Sequence, residues 1–309
     1  MAELFTRYAG NPVLTAGDWP APVNAVFNPA AVRHEGETLL LVRVESRTGI
    51  SQLGLARSAD GLSGWRIEPE PALLPDTRSE LERYGIEDPR ITRVGDEYLV
   101  TYTGYSSGGP LVCLAATRDF RTYERRGAIL PPENKDAALF PEPIGGRFAI
   151  VHRPVAGRLP PGIWIGRSED LTHWGDHEPV LPAGAAGAWD SSKVGLGPPP
   201  LATPEGWLLL YHGVRETAAG AIYRCGLALL DRDHPERLLS RSAGWVFAPE
   251  APYERVGDVG NVVFPCGWTL LEDGDTLHLY YGAADSCVGV ATASLAALLA
   301  HLRAGAPSR

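Results

Sequence analysis

The segment Phe27–Glu45, FNPAAVRHEGETLLLVRVE, contains the pattern that decides the fold. It begins with an Asn-Pro pair, continues through the turn sequence HEGE and ends in the apolar run Glu37–Val44. A turn followed by a run rich in Leu and Val is typical of a β-strand. The same order of proline segment, turn and apolar run recurs four more times along the chain.

The further runs are Glu97–Tyr102, Arg147–His152, Gly206–His212 and Asp275–Tyr281. One turn glycine from each unit marks the repeat, and these are Gly36, Gly95, Gly146, Gly206 and Gly274. Their spacings of 59, 51, 60 and 68 residues are typical of propeller blades. We therefore predict an all-β, single-domain five-bladed β-propeller over residues 1–309, with blades starting near residues 28, 88, 140, 198 and 262.

In such a fold we expect each apolar run to be the first strand of its blade and to line a central channel. The proline segments would then enter those strands and point their side chains into the mouth of the channel. Leu295, Leu298, Leu299 and Leu302 fall on one helical face. This spacing predicts a short C-terminal helix at about residues 294–303.

Composition excludes several classes of protein. The 35 Gly and 27 Pro in 309 residues argue against a helical bundle. A net charge of −9 without a basic run argues against a nucleic-acid partner. We find neither a signal-peptide pattern nor an apolar run long enough to span a bilayer, so we expect a cytoplasmic protein with no membrane partner. The four cysteines are widely separated, which favours buried thiols and no metal site.

Lysine usage indicates a functional site. The chain has 26 arginines but only two lysines, Lys135 and Lys193, and both lie in proline segments. Arg153 follows the apolar run of the third unit and His212 ends that of the fourth, so all four side chains are candidates for binding one anion such as phosphate. Arg153 or His212 taken alone is equally consistent with an ordinary structural hydrogen bond, whereas the placement of the two lysines favours a site over ordinary surface charge.

Two carboxylates stand beside a proline in the sequence GIEDPRI. Glu87 and Asp88 precede Pro89, where the chain is extended, so their side chains project to opposite sides. One of them can face the channel. A channel carboxylate opposite a cationic cluster suits acid catalysis on one side of a sugar and attack by an anion on the other.

The sequence resembles the mannoside phosphorylases of glycoside hydrolase family 130, over nearly its whole length. Eight motifs in order carry the resemblance: FNPAA (27–31), LLLVRVE (39–45), IEDPRI (86–91), NKDAALFPE (134–142), VHRP (151–154), WDSSKVGLGPPP (189–200), GWLLLYHG (206–213) and YYGAAD (280–285). The resemblance implies a five-bladed propeller that acts on β-linked mannosides.

It also implies a role for each matching residue. Asp88 matches the catalytic aspartate, and the positions that hold the mannosyl unit are Asn28, Arg43 and Asp285. The positions of the phosphate site are Lys135, Arg153, Lys193, His212 and Tyr223. The implied reaction is an inverting phosphorolysis that releases α-mannose 1-phosphate, with inorganic phosphate as co-substrate and no cofactor.

Alternatives remain at this stage. Some members of the resembled family are hydrolases that have lost the basic positions. Glu142 lies close in sequence to Lys135, so it is a candidate base for activating water. A non-catalytic glycan-binding propeller is a further alternative. The linkage (β-1,2, β-1,3 or β-1,4), the acceptor sugar and the formation of a homo-oligomer are left open.

Overall fold

The computed structural model describes residues 3–155, 157 and 160–305, and these form five antiparallel β-sheets arranged as a propeller. The first strand, β1, is Thr6–Arg7. Blade 1 comprises β2 (Ala25–His34), β3 (Glu37–Glu45), β4 (Ser51–Ser58) and β5 (Arg66–Ile67). Blade 2 comprises β6 (Ile86–Val94), β7 (Glu97–Ser106), β8 (Gly109–Thr117) and β9 (Glu124–Leu130).

The remaining blades follow the same plan. Blade 3 comprises β10 (Asn134–Leu139), β11 (Phe148–Pro154), β12 (Ile163–Ser168) and β13 (Gly175–Leu181). Blade 4 comprises β14 (Lys193–Leu196), β15 (Leu201–Thr203), β16 (Gly206–Thr217), β17 (Gly220–Leu230) and β18 (Leu238–Arg241). Blade 5 comprises β19 (Val263–Leu270), β20 (Thr276–Ala283) and β21 (Cys287–Ser294). The predicted all-β five-bladed propeller is confirmed.

The N-terminal strand completes the last blade. β1 pairs with β21 through Thr6 opposite Thr292 and Arg7 opposite Ala291, so blade 5 is built from both ends of the chain. Arg7 also contacts the buried carboxylate of Glu254, with Nε 2.8 Å from Oε1. The two ends of the chain are thereby fixed to each other and close the ring.

The structure corrects the expected position of the proline segments. These segments supply the innermost strands, with the proline inside the strand in blades 1, 2 and 5 and just after it in blades 3 and 4. The apolar runs predicted to line the channel form the second strand of each blade. Proline is tolerated there because these strands pair on one side only. In addition, Pro29 and Pro89 lie in β-bulges, where the register shifts between Phe27 and Ala30 and between Glu87 and Arg90, so no ladder hydrogen bond is lost.

The second strands are apolar on both faces because each blade packs between two neighbours. In β3, Leu39 and Leu41 contribute to the core shared with blade 2. Leu40 and Val42 point the other way and contribute to the core shared with blade 5. A strand buried on both faces is therefore a continuous hydrophobic run.

The predicted C-terminal helix is confirmed as α2 (Leu295–Gly305), and Leu295, Leu298, Leu299 and Leu302 are its buried residues. A shorter helix, α1 (Pro252–Arg255), precedes blade 5 and was not predicted. None of the helices that the structure describes could span a membrane. The four cysteines are buried and form no disulfides.

Candidate active site

Three innermost strands place an Asn or Asp at the bulge with a positive φ. The residues are Asn28 in β2, Asp88 in β6 and Asp136 in β10, with φ of 45°, 49° and 53°. Asn and Asp tolerate this left-handed conformation better than other residues with a side chain. All three side chains are buried. Buried polar residues in a strained conformation at equivalent places in three blades indicate a functional site.

Asp88 lies at the centre of a polar network. Asn28 Nδ2 donates to Asp88 Oδ1 at 2.8 Å, and Arg43 Nη1 donates to the same oxygen at 3.1 Å. Lys135 Nζ lies 3.5 Å from Oδ2. Burial alone would raise the pKa of Asp88, but Lys135 and Arg43 outweigh it and hold the pKa at about 2. The carboxylate is therefore ionised in the free site.

Arg43 extends the network toward the neighbouring carboxylates. Its Nη2 donates to Glu87 Oε1 at 2.9 Å and its Nε donates to Ser51 Oγ at 3.0 Å. Asp285 lies in the turn between β20 and β21, where burial and the charge of Asp88 raise its pKa to about 6. The residues expected to hold a sugar thus surround Asp88, with Asn28 and Arg43 in direct contact and Asp285 within electrostatic range.

Gly282 makes room for this arrangement. A Cβ at Gly282 would lie 1.9 Å from Asn28 Oδ1 and 2.8 Å from the Asn28 backbone nitrogen. Any larger residue at position 282 would therefore displace Asn28 from Asp88.

The expected phosphate residues lie in blades 3 and 4. Arg153 Nε donates to Asp136 Oδ2 at 2.6 Å, and His212 Nε2 lies 3.5 Å from that oxygen. Burial lowers the pKa of His212 to about 3, so its ring is neutral at physiological pH. Lys193 Nζ lies 5.2 Å from the centre of the Tyr223 ring, a cation–π distance, and the His212 and Tyr223 rings are 5.9 Å apart. We call Arg153, Lys193, His212 and Tyr223 the anion group.

Lys135 joins the two halves of the site. It was expected in the phosphate set, and its register partner across β10 and β11 is Arg153. Its ammonium group nevertheless contacts Asp88. The side chain therefore stands between the catalytic candidate and the anion group.

Two further buried residues belong to the network, although sequence reasoning gave them no role. Asp136 contacts Arg153 and His212, and Arg90 donates to the backbone carbonyls of Asp88, Leu196 and Gly197. A signal for Asp136 was present in the sequence, because NKDAAL repeats the placement of an acidic residue seen in IEDPRI. Arg90 lies in the same IEDPRI motif, but its contacts with the Leu196 and Gly197 carbonyls could not be predicted without the fold.

The structure excludes Glu142 from this site. Glu142 follows the end of β10 that is opposite to Lys135, in the connection to β11. Its side chain is exposed and contacts Arg232 Nη2 at 2.5 Å. The expectation that it could act as a base for water is wrong, because β10 carries the chain away from Asp88 before Glu142 is reached.

The chain is similar to known proteins over most of its length. The model of glycoside hydrolase family 130, described as beta-1,4-mannooligosaccharide phosphorylase, matches residues 5–304. A 1,2-beta-oligomannan phosphorylase from Thermoanaerobacter sp. is 37% identical over 298 residues, covering 92% of this chain and 95% of the relative. A beta-1,4-mannooligosaccharide phosphorylase from Ruminococcus albus is 34% identical over 299 residues, covering 94% of this chain and 88% of the relative.

A solved structure shows the same fold. It is the beta-1,2-mannobiose phosphorylase from Listeria innocua in complex with beta-1,2-mannobiose, which superposes with a TM-score of 0.89 at 33% identity and covers 97% of this chain and 99% of its own. Because the family model and these relatives each match nearly the whole length, the chain belongs to glycoside hydrolase family 130.

Proposed function

We propose that this protein catalyses the inverting phosphorolysis of β-linked mannosides, releasing α-mannose 1-phosphate. Asp88 is the proton donor and inorganic phosphate is the nucleophile. The observation that carries the proposal is the position of Asp88, a buried carboxylate between sugar-binding candidates in blades 1 and 5 and the cations of blades 3 and 4. The names of the relatives support the reaction class.

Phosphate needs cations to position it and no general base to activate it. A phosphate dianion is already nucleophilic, whereas an inverting hydrolase must supply a carboxylate that activates water. Arg153 and Lys193 provide the positive charge, and Tyr223 and His212 border them. Retention of these cations, together with the distant position of Glu142, favours phosphorolysis over hydrolysis.

Asp88 must acquire a proton before it can act as an acid. Lys135 holds it ionised in the free site. A phosphate bound beside Lys135 shares the charge of that ammonium group and adds negative charge near Asp88, and both effects raise the pKa of the carboxylate. We propose that the proton then passes from Asp88 to the mannose 3-hydroxyl, which gives its own proton to the glycosidic oxygen.

The mannosyl unit is held by Asn28, Arg43 and Asp285 in this proposal. Arg43 is a rigid donor because Ser51, Glu87 and Asp88 already fix its guanidinium.

The reaction needs only the mannoside and phosphate, so we propose no cofactor. A charged sugar phosphate crosses bilayers poorly, which favours action in the cytoplasm.

The proposal is tested by incubating the purified protein with β-1,2-, β-1,3- and β-1,4-mannobiose, each with and without inorganic phosphate. Anion-exchange chromatography separates mannose 1-phosphate from mannose. Mannose 1-phosphate formed only with phosphate is the expected result, and the reactive disaccharide identifies the linkage. Free mannose formed at the same rate without phosphate would show a hydrolase and refute the proposal.

A further inference from the structure

We propose that Asp136 is a positioning residue that holds Arg153 in the geometry needed to bind phosphate, with His212 packed beside the same carboxylate, and that Gly195 is required to let these groups meet. The inference rests on the proposed function, since it concerns the anion that this function consumes. No other assigned role uses Asp136, although its carboxylate is fully buried in the site.

Asp136 determines which atoms of Arg153 remain for a ligand. Arg153 Nε donates to Asp136 Oδ2 at 2.6 Å. The two terminal nitrogens, Nη1 and Nη2, donate to none of the other residues that the structure describes. A guanidinium held through Nε presents its terminal pair in a fixed plane, which suits bidentate contact with a phosphate.

The same carboxylate oxygen orients His212. Nε2 lies 3.5 Å from Asp136 Oδ2, and the ring packs against Phe264 at a centroid distance of 4.6 Å. A neutral histidine facing a carboxylate favours the tautomer that has its proton on the facing nitrogen. The proton on Nε2 then faces Asp136, so in this proposal His212 supports the carboxylate and Arg153 supplies the donors for phosphate.

Gly195 in β14 leaves the space in which these groups meet. A Cβ at this position would lie 2.4 Å from Asp136 Oδ2, 2.5 Å from His212 Cε1 and 2.6 Å from His212 Nε2. Separations under 3.0 Å force a shift, so alanine at position 195 would displace the carboxylate, the imidazole or both.

Arg90 contacts the other oxygen of the Asp136 carboxylate. Arg90 Nη2 lies 3.7 Å from Asp136 Oδ1 and donates to the Leu196 carbonyl at 2.7 Å. Arg90 Nη1 donates to the Asp88 carbonyl at 3.0 Å. Burial alone would raise the pKa of Asp136, but Arg153 and the nearby charges of Lys135 and Arg90 hold it far below its usual range, so the group acts only as an acceptor. Arg90 therefore contacts both the backbone of Asp88, the proposed proton donor, and the carboxylate of Asp136.

The test is the variant Asp136→Asn, which keeps the shape of the side chain and removes its charge. Losing one charge-assisted hydrogen bond at Arg153 should raise the KM for phosphate and the calorimetric Kd for inorganic phosphate roughly tenfold to hundredfold. The KM for mannobiose should stay within about twofold. Glu254→Gln is the matched control, because it breaks an equally buried carboxylate–arginine pair, with Arg7, outside the anion group.

A double variant separates positioning from general destabilisation. If Asp136 acts through Arg153, then adding Asp136→Asn to Arg153→Ala should raise the phosphate Kd by less than twofold beyond Arg153→Ala alone. If Asp136→Asn does not fold, Gly195→Ala crowds the same carboxylate and the His212 ring beside it without changing any charge, and it should weaken phosphate binding in the same way.

The outcomes distinguish the two proposals. The positioning role is overturned if the phosphate Kd of Asp136→Asn is unchanged or, where that variant does not fold, if the phosphate Kd of Gly195→Ala is unchanged. It is also overturned if the effects of Asp136→Asn and Arg153→Ala on the phosphate Kd are fully additive. A wild type that binds phosphate but releases only free mannose refutes the proposed function and leaves the role of Asp136 to the binding data. A wild type that binds no phosphate overturns both.

Discussion

Replacing Asp88 by asparagine tests the proposed proton donor with almost no change in side-chain shape. The amide oxygen can take the place of Oδ1 and keep the bonds from Asn28 Nδ2 and Arg43 Nη1. The amide nitrogen then faces Lys135 Nζ, which lies 3.5 Å from Oδ2 in the native site. The variant therefore loses the transferable proton and the attraction to Lys135 while the surrounding bonds remain.

Two magnitudes follow. General acid catalysis contributes about 10²–10⁴-fold to a rate, so the turnover of Asp88→Asn should fall by at least a hundredfold. The pKa of Asp88 falls from 3.8 to about 2, and each unit is worth about 1.4 kcal/mol. Since asparagine resembles the protonated acid, the variant should be less stable by about 2 kcal/mol above pH 4, and this difference should vanish as the pH falls toward 2.

Steady-state release of mannose 1-phosphate from the reactive mannobiose gives kcat, and urea unfolding at pH 7 and pH 3 gives the free energy of unfolding. Circular dichroism at pH 7 shows that the variant is folded before either comparison is made. A folded Asp88→Asn protein that keeps more than a tenth of the wild-type turnover would refute the assignment of the proton donor. A stability loss of the same size at both pH values would refute the electrostatic argument alone.

Three other perturbations test separate parts of the site. Lys193→Ala removes a cation of the anion group and should raise the KM for phosphate about tenfold or more, with little change in the KM for mannobiose. Initial rates measured at varied phosphate concentration check this. An unchanged dependence of the rate on phosphate would show that the anion binds elsewhere. Gly282→Ala should displace Asn28 and lower kcat/KM for mannobiose at least tenfold, whereas Gly175→Ala, where an added Cβ has no neighbour within 4 Å, should match the wild type in the same assay. Burial lowers the pKa of His212 from 6.5 to about 3, so between these pH values the unfolded chain binds a proton that the folded chain does not bind. Stability should therefore fall as the pH drops from about 6.5 toward 3. Tm measured at pH 7, 5.5 and 4 should fall less steeply in a folded His212→Gln variant, and an equal slope would contradict this reasoning.

The sequence predicted the number of blades because the apolar runs keep a local pattern. The run Glu37–Val44 corresponds to β3 (Glu37–Glu45), and the four Leu residues of the last helix are buried as expected. It did not predict the innermost strands. Pro29 and Pro89 are signals against a strand, and only the fold shows that they fall in bulges of strands paired on one side.

The candidate site shows the same division. Asp88, Lys135 and Lys193 stand out from residue type and local spacing, and the family resemblance supplied Asn28 and Arg43. Contacts between blades were not predictable in this way, since the partners are far apart in sequence. Lys135 contacts Asp88 across 47 positions, and Arg90 contacts the Gly197 carbonyl across 107. Such pairs depend on the order and angle of the blades, which no local pattern encodes.

The closure of blade 5 by β1 determines when the propeller and its site can be completed during translation. Thr6–Arg7 is translated about 280 residues before its partner strand Cys287–Ser294. Until then the nascent chain can hold at most four closed blades, and Asp285, in the turn that precedes that partner strand, has not yet joined Asp88 and Arg43. A chain released before that strand is made would therefore carry most of the cations of the site without a complete sugar pocket, so catalytic competence arises only after Cys287–Ser294 has been translated.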